Sequence, residues 1–158
     1  MAYINELFRT ADTLVLSRVM YQAIVPWWDT VAAGEFPEDA VTLSAADKEF
    51  ARLQREMIKV VFSRSLESTD DRTVISGDLA AQLVELKRQD GRGILLACGP
   101  ATLAAAPGLI DAYVVVIHPA VLAAGTGMFE HLTTDLALEL TAAKVFDGGA
   151  VVLHYRVI

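Results

Sequence analysis

Apolar positions along this chain recur now at helical spacing and now in short runs, and the changes of period mark out its elements. Ile4, Leu7, Phe8 and Ala11 lie at helical intervals and the β-prone run Thr13 to Leu16 follows, predicting a helix and then a strand. Helical spacing returns after Ser17 through Val19, Met20, Ala23 and Ile24. Pro26 and the Trp27-Trp28 pair are expected to end that helix and open a loop reaching about Leu43, because an internal proline removes a backbone donor and clashes with the preceding turn. Ser44 and Asp47 match a capping box, from which Phe50, Leu53 and Met57 continue a helix leading into a strand, Ile58 to Phe62.

A polar turn from Glu67 to Arg72 precedes a further strand, Thr73 to Ser76. Asp78 is placed to cap a helix with Leu79, Leu83, Val84 and Leu86 on its buried stripe, ended by Gly91 and Gly93. Ile94 to Ala97 is wholly apolar, as expected of a strand covered on both faces, and Gly99-Pro100 starts a short helix with proline in its first turn. Tyr113 to Ile117 reads as another buried strand. Two longer strands, about Ala137 to Phe146 and Val151 to Val157, flank Asp147-Gly148-Gly149, a strong hairpin signal. Strands alternating with helices and finished by a hairpin predict an α/β fold: a mixed, mostly parallel sheet flanked by helices, with a C-terminal antiparallel hairpin. No repeat or low-complexity tract interrupts residues 1–158, so one domain is expected.

Composition narrows the partners. With 20 acidic against 13 basic side chains the formal net charge is -7, and no Lys/Arg cluster tracks a phosphate backbone, which argues against nucleic acid. A single cysteine, Cys98, cannot close an intramolecular disulfide. The first residues lack the basic start and apolar stretch of a signal peptide, and no apolar run reaches membrane-spanning length. The expectation is a soluble, cytoplasmic protein without a membrane partner.

In an open α/β sheet the ligand sits at the carboxyl ends of the parallel strands. Three such ends share a chemistry here: Ser17-Arg18, Ser63-Arg64, and Gly99-Pro100-Ala101-Thr102. Small residues allow close approach, free N–H groups at helix starts point at an anion, and guanidinium groups bind phosphate bidentately, so a phosphate-bearing nucleotide is the expected ligand. The plainer alternative is that Ser17 and Thr102 cap helices and both arginines are solvated.

The segments Asp12 to Tyr21, Lys59 to Leu66 and Gly99 to Leu103, followed by Gly108-Leu109-Ile110-Asp111 and His118-Pro119-Ala120-Val121-Leu122 leading to Gly125 and Phe129, resemble the dihydrofolate-reductase-like family. That family includes the C-terminal reductase domain of riboflavin biosynthesis, and the likeness runs from near residue 3 to the C-terminus. It implies an NADPH-dependent reductase of a small-molecule substrate, a pteridine or a ribosylaminopyrimidine of the 5-amino-6-(5-phosphoribosylamino)uracil type, with the cofactor supplying hydride. Carried over by position, Ser17, Arg18, Ser63 and Arg64 contact the phosphates and adenosine ribose, and Gly99, Pro100, Ala101 and Thr102 hold the pyrophosphate.

The sequence also departs from that pattern. Ser17 replaces a usual glycine, Cys98 stands where a glycine or another small residue is common, and Ala123-Ala124 replace glycines before Gly125. Family members normally begin with a central strand lining the nicotinamide and substrate site, whereas this chain starts in the helix after it; a start further upstream, a trimmed chain, a partner chain in the gap or a protein that is no longer a reductase would each account for this, and a slot left unfilled would expose backbone donors and acceptors. The second reading is therefore a non-catalytic member of the fold that binds a nucleotide or acts through homodimerisation. Homodimerisation is also expected from the apolar β-surface of Val114 to Ile117 and Val151 to Val157.

No general acid can be named, the candidates being Asp29, Glu35 and Asp39 in the expected loop, where solvated carboxylates are the plainer reading. Trp27 and Trp28 suit either stacking on a flat heterocycle or an interface. Cys98 is either an oxidisable thiol or a small buried spacer. His118, His131 and His154 are too scattered to suggest a metal.

Overall fold

A computed structural model describes residues 1–36 and 42–158 of the chain. They form two compact units, Met1–Gly99 and Pro100–Ile158. In the first, α1 (Ala2–Arg9), β1 (Thr13–Ser17), α2 (Arg18–Ala33), α3 (Ala45–Glu56), β2 (Ile58–Phe62), β3 (Thr73–Ile75), α4 (Leu79–Lys87) and β4 (Ile94–Ala97) follow one another. The strands make a wholly parallel sheet in the order β3-β2-β1-β4. Leu14, Val15 and Leu16 are buried in succession, as a central parallel strand covered on both faces requires. Leu14, Leu16, Tyr21, Val25, Met57 and Val61 form the heart of the core.

The caps are those the sequence encodes. Ser44 Oγ accepts from Asp47 N at 3.2 Å while Asp47 Oδ2 accepts from Ser44 N at 2.9 Å, the reciprocal box that fixes the start of α3. Asp78 Oδ1 accepts from Ala80 N and Ala81 N at the start of α4.

Pro26 does not end α2. The helix continues through it to Ala33, so Trp27, Trp28 and Asp29 are helical instead of lying in a loop. An internal proline costs about 3 kcal/mol or more in lost bonding and strain. Here Pro26 and Gln22, whose carbonyl loses its helical donor, are both exposed, so water can replace the bond. The opposite face carries the gain: Tyr21, Val25 and Val31 are buried, and Trp28 meets Phe50 of α3 edge-on at 4.8 Å. Gly34, at φ 75°, then closes the helix in the left-handed conformation. The remainder of the expected loop, including Asp39, falls partly outside the described residues.

In the second unit α5 (Pro100–Ala105) and a 3-10 turn (Pro107–Leu109) precede β5 (Ala112–Ile117), β6 (Leu138–Val145) and β7 (Val151–Val157). These strands form an antiparallel sheet in the order β5-β7-β6. The hairpin turns where expected: Phe146 N donates to Ala150 O at 2.9 Å, Gly149 N donates to Phe146 O at 2.8 Å, and Gly149 takes φ 82°. The segment read as a buried strand, Tyr113 to Ile117, belongs to β5 and pairs antiparallel with β7, with Tyr113 its only fully buried residue. The architecture is thus α/β, a parallel sheet with helices followed by a C-terminal antiparallel sheet. Among the described residues β4 is bonded to β1 alone and β5 to β7 alone, so each presents an edge of backbone donors and acceptors without a strand partner.

Candidate functional site

Register brings the predicted strand ends level. Ser17 lies opposite Phe62 and Leu16 opposite Ala97, so Ser63 and the Cys98-Gly99 pair emerge beside Ser17 at the carboxyl edge of adjacent strands. The distance from β2 across β1 to β4 is two strand spacings, about 10 Å.

Ser17 has extended backbone, and its Oγ accepts from Met20 N at 3.3 Å. Its hydroxyl is committed to capping α2, which leaves the first backbone N–H groups of that helix to meet an anion. Arg18 is exposed in the first turn, where its Nη1 donates to Gln22 Oε1 at 2.8 Å. Ser63 N donates to Ile75 O at 3.1 Å, and Ser63 Oγ accepts from Ser65 N and Leu66 N at 3.1 and 3.0 Å, which folds the chain after β2 into a tight turn. Arg64 is exposed on that turn and pairs with no described carboxylate.

Among the described residues of the first unit, no heavy atom beyond Gly99's own chain neighbours lies within 4 Å of where a Cβ on Gly99 would sit, so a ligand can approach its backbone. Pro100, Ala101 and Thr102 are the first three residues of α5 in the second unit, and Thr102 lies within the helix instead of at its cap. Cys98 is half-buried and its thiol is pushed up to about 11 by burial, the behaviour of a spacer and not of a reactive thiolate. The structure therefore gathers Ser17, Arg18, Ser63, Arg64 and Gly99 on one edge of the first unit, with two exposed guanidinium groups and open backbone.

The other candidates lie elsewhere. Asp29 follows Ser17 along α2 by twelve residues, roughly 18 Å of helix, which puts it at the amino ends of the strands. Burial raises its pKa, against the opposing pull of the Lys59 and Arg55 charges. It lines a cavity of about 390 Å³ together with Ile58 and Thr73, the first residues of β2 and β3. Glu35 is exposed beyond the end of α2. Trp27 is 39% exposed, whereas Trp28 is held against Phe50. Sequence reasoning missed Lys59, a residue only 5% exposed whose Nζ donates to Arg55 O at 3.1 Å. The signal was present: a lone lysine inside the apolar strand Ile58 to Phe62 sits at a position where both faces are covered.

His131 approaches Glu130 at 3.4 Å, and His154 lies within β7. Among the described residues no three His, Cys, Asp or Glu side chains gather as metal ligands would, and no helix is long and apolar enough to cross a membrane.

Residues 1–152 match the family model of the RibD C-terminal domain. An uncharacterized protein of Bacillus subtilis (strain 168), YyaP, is 25% identical over 155 residues, spanning 96% of this chain and 77% of its own. Among solved structures, a diaminohydroxyphosphoribosylaminopyrimidine deaminase/5-amino-6-(5-phosphoribosylamino)uracil reductase from Thermotoga maritima superposes with a TM-score of 0.65 at 10% identity, over 99% of this chain and 48% of that one. Dihydrofolate reductase from Enterococcus faecalis, complexed with NADP(H), superposes with a TM-score of 0.61 at 13% identity, over 98% of this chain and 79% of that one. At these identities the structural likeness establishes the fold.

Proposed function

Because this chain belongs to the RibD C-terminal domain family, a reductase-like family, we propose that it is an NADPH-dependent reductase of a small heterocyclic or ribosylated substrate. The observation that carries the proposal is the level edge formed by the ends of β1, β2 and β4, where Ser17-Arg18, Ser63-Arg64 and Gly99 lie side by side. NADP(H) accompanies the similar fold of the Enterococcus faecalis reductase. The residues present here fit such a cofactor: two exposed guanidinium groups offer bidentate charge to phosphate, the start of α2 offers N–H donors, and Gly99 leaves room for close backbone approach.

When bound, NADPH supplies the hydride. The part of this chain is to hold and orient. Arg18 and Arg64 take the 2′-phosphate and pyrophosphate charge, Ser17 fixes the helix start that points its donors at them, and the turn held by Ser63 Oγ aims Arg64. The resemblance adds Pro100, Ala101 and Thr102, which follow Gly99 in the chain. The substrate class is a pteridine or a ribosylaminopyrimidine, the latter matching the reaction named for the Thermotoga maritima enzyme. A single, half-buried thiol suits the reducing cytoplasm in which we place the protein. Loss of NADPH absorbance with a panel of pteridines and ribosylaminopyrimidines tests this. Turnover of a member of either class supports it, and a panel in which none is reduced refutes it.

A second reading, a non-catalytic member that acts as a homodimer, is favoured by the edges of β4 and β5, each without a strand partner among the described residues. Light scattering on the eluting protein at micromolar concentration decides it: a dimer that turns over no substrate supports this reading, and a monomer counts against it.

A further inference from the structure

The connection from β2 to β3, Ser63 to Arg72, carries Arg64 and has no helix of its own. Beyond Ser63 only Leu66 and Arg72 are half-buried and the rest are exposed, so two side chains anchor it. Leu66 packs on the core of the first unit. Arg72 is the polar anchor: Nη1 donates to the Tyr21 hydroxyl at 3.0 Å, the guanidinium lies 5.1 Å from the centre of that ring, and Nε donates to Glu67 O at 3.1 Å. Asp70 and Asp71 line a cavity together with Arg72, but neither forms an ion pair with it among the described residues.

These contacts join the two arginine-bearing arms at the carboxyl edge. Tyr21 is buried and lies one turn of α2 beyond Arg18, so it is a fixed point close to that guanidinium's helix start. From its hydroxyl, bonds run through Arg72 to Glu67 O. Glu67 adjoins Leu66, whose N donates to Ser63 Oγ at 3.0 Å and closes the turn that displays Arg64. The bond from Arg72 to Tyr21 is the one side-chain hydrogen bond among the described residues that ties this connection to α2. A guanidinium suits the task, because its rigid fork binds two acceptors on different elements at a fixed separation.

Given the NADPH reading of these strand ends, on which this rests, we propose that Arg72 is a positioning residue of the phosphate site: by fastening the β2–β3 connection to α2 it sets Arg64 relative to Arg18. In this role Arg72 acts through Arg64 and not by contact with the cofactor. An arginine on a long exposed turn would otherwise lose much freedom on binding phosphate, and ordering the turn beforehand lowers that cost.

Calorimetric titration of the full chain with NADPH tests the proposal on Arg72→Met, Tyr21→Phe and Arg64→Ala, with the Arg72→Met/Arg64→Ala double variant completing a cycle. Arg72→Met should weaken binding roughly three- to tenfold, and Tyr21→Phe, which keeps the ring and loses only the acceptor, roughly two- to fivefold. In the Arg64→Ala background the effect of Arg72→Met should shrink to within about twofold, whereas a merely structural role would persist there. A second readout needs no cofactor. Amide exchange at Ser65 and Leu66, whose N–H groups donate to Ser63 Oγ, should quicken in Arg72→Met and Tyr21→Phe while β1 and β2 stay protected. Tyr21→Phe decides the matter if Arg72→Met does not fold. A parent chain that binds no NADPH overturns the reading of the site and this inference with it. Binding that falls with Arg64→Ala but with neither Arg72→Met nor Tyr21→Phe, an Arg72 effect that persists without Arg64, or unchanged exchange at Ser65 and Leu66 would each overturn this inference alone.

Discussion

Replacing Arg18 with alanine separates binding from folding more cleanly than any other change at the strand ends. Arg18 occupies the first turn of α2, and its one side-chain hydrogen bond among the described residues is the 2.8 Å bond from Nη1 to Gln22 Oε1 on the exposed face. An exposed pair four residues apart on a helix contributes about 0.2–0.5 kcal/mol. Against this, a cation in the first turn opposes the helix dipole by about 0.3–1 kcal/mol, and alanine is the better helix former. The terms nearly cancel, so the melting temperature should move by no more than a degree or two in either direction. NADPH binding should suffer far more. A hydrogen bond to a charged group is worth about 1.5–3 kcal/mol, which corresponds to roughly ten- to a hundredfold in Kd. Titrations of both proteins followed by calorimetry measure it, and the loss should shrink as salt screens the exposed charge. An Arg18→Ala protein that melts like the parent and binds NADPH equally well would refute the placement of phosphate at the end of β1.

Three further perturbations test the packing and the electrostatics. Gln54 is fully buried in α3 and neither its Oε1 nor its Nε2 finds a partner among the described residues, so Gln54→Met should stabilise the fold by about 1–3 kcal/mol and raise Tm by several degrees; a lower Tm would reveal a partner for the amide. The hydrogen bond from Arg92 N at 2.7 Å holds Asp12 below its ordinary value of 3.8, so its contribution is present above that value and lost as pH falls through the lower folded pKa. Melting curves of Asp12→Asn should therefore show a shallower decline in strong acid than the parent, and identical acid limbs would deny the bond. With its thiol near 11, Cys98 has a thiolate fraction on the order of 10⁻⁴ at neutral pH, so a thiol reagent should label the folded protein far more slowly than the denatured chain, and equal rates would contradict the burial.

Local chemistry was the legible part of this fold. The Ser44/Asp47 box, the Asp78 cap, the bounds of β2 and β4 and the turn at Gly149 are each written in a few neighbouring residues whose donors, acceptors or φ preference admit little else. Pro26 misled because its local cost was outweighed by a tertiary gain, the packing of Trp28 on Phe50 more than twenty residues away in sequence. Tyr113 to Ile117 forms the strand expected but not a buried one, since a short apolar run does not say how its faces are covered, and only Tyr113 of it is fully buried. The level edge of Ser17, Ser63 and Gly99 followed from the topological rule once the strands were placed. The cavity shared by Asp29 and Lys59 did not, because it depends on where a continuous α2 carries Asp29 relative to β2.

A titration of the chain with NADPH and, separately, NADH tests the proposed function most directly. Calorimetry is the primary readout, and the fluorescence of Trp27 and Trp28 is the check. Saturable binding with a clear preference for NADPH is predicted, because only that cofactor carries the additional phosphate that the proposal assigns to Arg18 and Arg64. Absence of binding, or equal affinity for the two cofactors, would contradict the assignment of these strand ends to an NADPH phosphate.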